Sequence, residues 1–163
     1  MDTNIDRVAA CSRLIAQRQM TVAFVESATA GSLTAAFSRT EFSGKILKGG
    51  LVCYDAHLKE DILKVPASMI RQYTPESLQV TRTITRNLKQ LIEADIYVGI
   101  TGLTKPGGSE TADKPVGTMF LCIVMDQTEI NDRMTFSGSD EEIIEDTIQR
   151  LCYLLMSMLE SGD

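Results

Sequence analysis

The chain has 163 residues, 44% of them apolar and 23% charged, with a net charge of −6. That balance describes one globular domain, residues 1–163, with a single good-sized core. It excludes two classes: there is no tryptophan and no Lys/Arg run to build a nucleic-acid surface, and no apolar run long enough to span a bilayer. The opening Met1-Asp2-Thr3-Asn4-Ile5-Asp6 lacks the basic–apolar layout of a signal peptide, so a cytoplasmic protein is expected.

In chain order, Ile5, Val8, Cys11, Leu14 and Ile15 recur at a helical period over residues 4–18, with Thr3 or Asn4 as cap. Thr21–Val25 reads as a buried strand. A tight turn carrying Glu26, Ser27 and Thr29 follows, then a helix of small residues running to about Ser38. Lys45–Tyr54 reads as a second strand, with Gly49-Gly50 marking a bulge or a close backbone approach. Leu58, Ile62 and Leu63 suggest a short helix, Val65-Pro66 a break, and Ala67–Tyr73 another short helix. Thr74-Pro75-Glu76 has the form of a helix start, and Val80, Ile84, Leu88, Leu91 and Ile92 supply that helix's stripe. Asp95–Thr101 is a near-continuous apolar run, as in a strand covered on both faces. Gly102–Pro115 is the longest loop, Val116–Val124 a fourth strand and Glu129–Phe136 a weakly alternating edge strand. Ser139-Asp140-Glu141-Glu142 is a capping box that opens the last helix. The sum predicts a three-layer α/β/α sandwich with a mixed sheet of about five strands, one pair of them antiparallel.

The turn at Glu26–Gly31 draws attention because ligands bind at the carboxyl ends of strands in such sheets, beside helix N-termini. Ser27 there is either a nucleophile or, like Thr29, a helix cap. Two other loops leave strands at ends that can meet it: Tyr54–Lys59 and Thr101–Gly108. Together they offer Ser27, Tyr54, His57, Lys59, Thr101 and Gly-rich backbone able to cradle a phosphate. A Ser-His-Asp arrangement would rest on the single histidine, His57. Lysine is the other base open to a serine, provided burial or a neighbouring cation lowers its pKa from about 10.4. The four cysteines are scattered with no CxxC, so they read as buried thiols, and no zinc-ligand spacing occurs. Neither a P-loop nor a dinucleotide GxGxxG is present.

These pieces carry a family resemblance from about Ile5 to Leu155. Glu26-Ser27-Ala28-Thr29-Ala30-Gly31 resembles the E-S-C-T-G-G of the CinA C-terminal domain family. Tyr54-Asp55-Ala56-His57-Leu58-Lys59 resembles its Y-[ST]-N-x-x-K. Thr101–Gly108 resembles its T-G-[IL]-A-G-P-G-G, and Lys114-Pro115-Val116-Gly117-Thr118 its K-P-V-G-T. The stand-alone form of that family is known as a nicotinamide-nucleotide amidohydrolase of the PncC type. The resemblance therefore implies hydrolysis of the carboxamide of nicotinamide mononucleotide to the nicotinate mononucleotide and ammonia, with no metal or cofactor. Ser27 would attack the amide carbon and Lys59 would take and return the proton. Glu26, Thr29, Ala30, Gly31, Tyr54, Thr101, Gly102, Lys105 and Gly107 would contact the substrate. Apart from the resemblance, the geometry expected at a helix start makes backbone N–H groups near Thr29–Gly31 the candidate oxyanion donors. A homodimer or other homo-oligomer is also implied.

The chain departs from the family pattern at the ligand side. Ala30 and Ala56 replace a glycine and an asparagine, Gly44 replaces a serine, and Thr104-Lys105 replaces A-G. Asp140 stands where the family's F-x-G-D-R places an arginine suited to a phosphate. Two readings follow from these departures: a working amidohydrolase, or a silent paralogue that binds a small molecule or a protein partner without turnover.

Overall fold

The computed structural model describes residues 6–162. Thr3, Asn4 and Ile5 lie outside the described residues. The first helix, α1 (Arg7–Gln17), is capped by Asp6, whose carboxylate accepts the Ala9 N–H. β1 (Val22–Glu26), α2 (Ser32–Ser38) and α3 (Ser43–Ile46) follow, then β2 (Leu47–Val52), α4 (Ala56–Asp61) and α5 (Ala67–Tyr73). Next come α6 (Leu78–Asn87), β3 (Ile96–Gly102), β4 (Thr118–Met125), β5 (Thr128–Thr135) and α7 (Asp140–Ser161).

The five strands form one sheet in the order β2-β1-β3-β4-β5. β1 runs parallel to both β2 and β3, while β3/β4 and β4/β5 are antiparallel. The expected mixed sheet is therefore present, with two antiparallel pairs rather than one. One pair is the hairpin that the tight Asp126-Gln127 turn closes between β4 and β5 at the sheet edge; the extra pair arises because the long loop after β3 folds back and sets β4 antiparallel to β3.

All five residues of β1 are buried, because helices cover both faces of the sheet. Val22 and Phe24 face a core shared with α1, α2 and α7, and Phe24 packs on Phe37 with ring centroids 4.9 Å apart. Ala23 and Val25 face the opposite core, where Ile84 and Leu88 pack with Leu63 and Val65. Each such aromatic or aliphatic side chain contributes about 1.5–3 kcal/mol when fully buried. This is the three-layer arrangement the alternating elements predict.

Two details of β2 bear on the site. The expected bulge is real: the pairing with β1 shifts between Val22 and Ala23, so Lys48 is the extra residue. A side chain at Gly50 would place its Cβ 2.1 Å from Thr34 Oγ1, so only glycine lets α2 lie this close to the strand. The second strand itself starts at Leu47 rather than Lys45, because Ser43–Ile46 closes a helical turn first.

The start of α6 also differs from expectation. Thr74 ends α5 with φ +70°, and the helix begins at Leu78 behind Ser77, whose hydroxyl accepts the Val80 N–H. Thr74-Pro75-Glu76 is thus an inter-helix link, and Glu76 is not in a helical first turn. At the other end, the capping box of α7 forms as its sequence specifies, with Ser139 accepting from Glu142 N–H and the Glu142 carboxylate accepting from Ser139 N–H. All four cysteines are buried free thiols.

Candidate active site

In the parallel trio β1 and β2 end level, and β3 runs two residues further, to Gly102. Glu26 pairs with Val52 on one side and Ile100 on the other, so the segments after all three strands leave the sheet side by side. Ser27 stays attached to this edge through its N–H, which donates to the Ile100 carbonyl at 3.0 Å. The sheet register alone thus brings together the three loops that the sequence offers as candidates.

Glu26 decides what Ser27 is free to do. Its carboxylate is fully buried and accepts four hydrogen bonds. Oε1 takes the Thr29 hydroxyl at 2.6 Å and the Leu33 N–H at 2.9 Å. Oε2 takes the Thr34 hydroxyl at 2.6 Å and the Thr34 N–H at 2.9 Å. Those N–H groups belong to the second and third residues of α2, two of the donors a helix leaves unsatisfied at its start. The formal N-cap, Gly31, has φ +96° and makes no side-chain cap. Glu26 therefore caps α2 from the end of the neighbouring strand, and neither Ser27 nor Thr29 is the helix cap. Glu26 and Thr29, both expected at the substrate, instead hold the turn together from beneath. Ala30 (φ +49°) and Gly31 complete that turn and do not line the cleft described below.

Ser27 is left to Lys59. Asp55 caps α4 by accepting the His57 N–H at 2.8 Å, which fixes the helix start one turn before the lysine. Side chains on a helix point back toward its N-terminus. Lys59 accordingly reaches the strand ends and donates from Nζ to the Cys53 carbonyl at 2.8 Å and to Ser27 Oγ at 2.9 Å. The residue is 1% exposed. Burial lowers the pKa of its ammonium, more than the nearby Cys53, Glu76 and Asp55 raise it. A buried lysine whose pKa is lowered, 2.9 Å from a serine hydroxyl, is the pairing expected of an activated nucleophile. His57 is exposed on α4 and takes no part in it.

A cleft of about 250 Å³ opens above Ser27 and Ala28. Tyr54, 57% exposed, and Glu76 form part of its wall, and the Gly102–Gly108 segment forms the rest. Gly102, Lys105 and Gly107 thus stand where the sequence places them, at the cleft. Thr101 does not: it is fully buried and shares a 2.8 Å hydrogen bond with the Thr81 hydroxyl, which ties β3 to α6 behind the site. Asp140 opens α7 and does not line the cleft.

The cleft wall also contains a group for which the sequence offers no site role, Glu76, and a network behind it. Glu76 accepts the Ser109 hydroxyl, and Lys114 Nζ bonds Ser109 Oγ, Thr74 Oγ1 and the Glu76 carbonyl at 2.8, 2.6 and 2.9 Å. This network clamps the long loop to the link before α6. Its links between the two segments span 33 to 40 residues, so no local pattern marks them. The Gly-rich tip departs from expectation in another way. The N–H groups of Gly107 and Gly108 do not stand ready for a phosphate; they donate to Glu110 Oε1 and Oε2, each at 2.8 Å. The Gly107 amide in particular holds the Glu110 carboxyl below its ordinary pKa. Among the described residues, no group of three His, Cys, Asp or Glu side chains is placed to hold a metal ion, and no helix is long and apolar enough to cross a membrane.

Comparison with known proteins puts this site in context. The profile of the CinA C-terminal domain matches residues 5–159. A CinA-like protein of Thermotoga neapolitana is 37% identical over 131 residues, 80% of this chain and 32% of the relative. A putative competence-damage inducible protein of Bacillus mycoides is 32% identical over 149 residues, 91% of this chain and 36% of the relative. The chain thus spans about a third of the length of these relatives. Among solved structures, a competence-damaged protein (CinA) superfamily protein of Klebsiella pneumoniae superposes with TM-score 0.90 at 22% identity, covering 96% of this chain and 97% of its own. A competence/damage inducible protein of Agrobacterium tumefaciens superposes with TM-score 0.86 at 23% identity, covering 98% and 99%. These structural likenesses establish the fold.

Proposed function

The chain belongs to the CinA C-terminal domain family, and we propose that it is an amidohydrolase working through Ser27 and Lys59, with nicotinamide mononucleotide as substrate. The observation that supports this reading is the 2.9 Å approach of Lys59 Nζ to Ser27 Oγ on the floor of a cleft, with the lysine buried and its pKa lowered.

In the proposed reaction neutral Lys59 accepts the Ser27 hydroxyl proton as Oγ attacks the carboxamide carbon. The carbonyl oxygen takes up the negative charge of the tetrahedral intermediate. Of the turn's amides, that of Ala30 donates to the Ser27 carbonyl at 3.0 Å and that of Ser32 to the Thr29 carbonyl at 2.9 Å. The Ala30 amide, one of the expected donors, is therefore spent. The amide of Ala28, the residue after the nucleophile and part of the cleft floor, is the oxyanion donor this geometry favours. One such donor is typically worth about 3–4 kcal/mol in the transition state. Lys59 then returns its proton to the departing nitrogen, the C–N bond breaks and ammonia leaves. The resulting ester on Ser27 is hydrolysed by a water that Lys59 deprotonates in turn, giving the carboxylate and restoring the hydroxyl.

The test is ammonia release from nicotinamide mononucleotide by the purified protein beside Ser27→Ala and Lys59→Ala. Turnover by the wild type that both substitutions abolish is the expected result. Wild-type release no greater than that of the variants, at high protein and substrate, refutes the reading. If nicotinamide mononucleotide then still raises the melting temperature, the chain is a binder of the nucleotide that does not turn it over.

A further inference from the structure

We propose that Glu110 sets the charge preference of the cleft: its carboxylate fills the anion seat formed by the Gly107 and Gly108 amides, so a substrate's phosphate binds there only by displacing it. The inference rests on the amidohydrolase reading for its substrate, but not for the seat itself.

The geometry is that of a bound anion. Two successive N–H groups converge on one carboxylate, one on each oxygen and each at 2.8 Å. Consecutive amides turned to one side in this way form a concave anion site, and bidentate contact to a charged acceptor is the strong form of the bond. Gly107 has φ +102° and a Cβ there would meet nothing within 4 Å, so the backbone conformation that turns both amides together favours glycine at this position. Both glycines line the same cleft as Ser27. An amide held at Ser27 and an anion held at Gly107-Gly108 would belong to one ligand.

The occupant is the chain's own side chain, two and three residues along. A tethered competitor acts at high effective concentration, and the apparent affinity of an external anion falls by the fraction of time the seat is open. The surroundings do not offset this. Glu76 places a second carboxylate on the cleft wall. Lys114 is already bonded to Thr74, Ser109 and the Glu76 carbonyl. Lys105, exposed at the rim, is the one Lys or Arg among the cleft-lining residues described. A ligand without a phosphate does not meet this competition.

The experiment measures binding rather than turnover, by calorimetry in a Ser27→Ala background. Three probes are used: nicotinamide mononucleotide, its phosphate-free riboside and inorganic phosphate. Adding Glu110→Ala is expected to tighten the nucleotide at least tenfold, to leave the riboside within twofold, and to bring inorganic phosphate into the measurable range. Glu110→Gln keeps an acceptor for the loop but removes the charge. It is expected to fall between the two, which separates loss of charge from a loosened loop. An unchanged or weaker nucleotide Kd, a nucleotide and riboside that tighten together, or no phosphate binding to Glu110→Ala overturns the proposal. The phosphate result reports on Glu110 even if the ammonia assay refutes the amidohydrolase reading.

Discussion

Glu26→Gln is the substitution that most directly tests how the site is held. The change keeps the shape of the side chain but turns one of its two oxygens into an NH₂ group. At either end that oxygen now serves one threonine hydroxyl and one backbone N–H of α2. The hydroxyl can rotate and accept from the new NH₂; the backbone N–H cannot, and it loses its acceptor. A buried donor left unsatisfied costs about 1–3 kcal/mol. The bonds to the remaining oxygen lose their charge assistance, which roughly doubles the strength of such bonds, so about 1 kcal/mol more is lost. The expected destabilisation is about 2–4 kcal/mol, a large share of the roughly 5–15 kcal/mol that holds a domain together. In urea unfolding, with a slope of about 1–3 kcal/mol per molar, the midpoint should drop by about 1–2 M with the slope unchanged. Hydrogen exchange at the Leu33 and Thr34 amides should accelerate together. A midpoint that moves by less than about 0.3 M, or amides that exchange as in the wild type, would show that Glu26 does not anchor α2 and would return it to the list of substrate contacts.

The same turn and its lysine carry three more predictions. Lys59 loses its proton below its ordinary value of 10.5 because it is buried, and only the neutral amine can act as base. The ratio kcat/KM should therefore climb with pH and level off below pH 10.5; a rise centred at or above 10.5, or a flat profile, would remove Lys59 as the base. The same shift has a stability consequence with a defined sign. Between the folded and unfolded pKa the unfolded chain binds a proton that the folded chain does not, so Lys59's contribution to stability rises with pH through that window and its penalty is constant below it. Ala30 adopts φ +49° on an exposed corner of the turn, a conformation that strains an L-residue by about 1–2 kcal/mol. Part of that strain is offset by glycine's freer unfolded chain, so Ala30→Gly should stabilise by about 0.5–1 kcal/mol, read as a higher urea midpoint. A destabilised Ala30→Gly variant would mean that the alanine methyl makes a contact worth more than the strain.

What the sequence determined by itself is what neighbours within one or two turns decide. The capping box at Ser139–Glu142, the helix at Ala67–Tyr73 and the apolar run Val22–Val25 of β1 form as their patterns specify, the first two through hydrogen bonds that their own residues supply and the strand through apolar side chains fit for burial on both faces. The loops that carry Ser27, Lys59 and Gly107 were legible for a related reason, since strand ends and turn residues have local signatures. The tertiary structure decided which groups in those loops face the cleft. Glu26 and Thr101 look like site residues by position, yet their polar atoms are spent on α2 and on Thr81. Glu76 joins the cleft only because α5 ends at a left-handed Thr74 and Ser77 outcompetes Thr74 as the cap of α6. Lys59 meets Ser27 across 32 residues because β1 and β2 end in register and α4 turns its side chain back over that edge. A sequence specifies such meetings only through the free energy of the whole packed sheet, where a shift of one residue in strand pairing would turn every side chain to the other face.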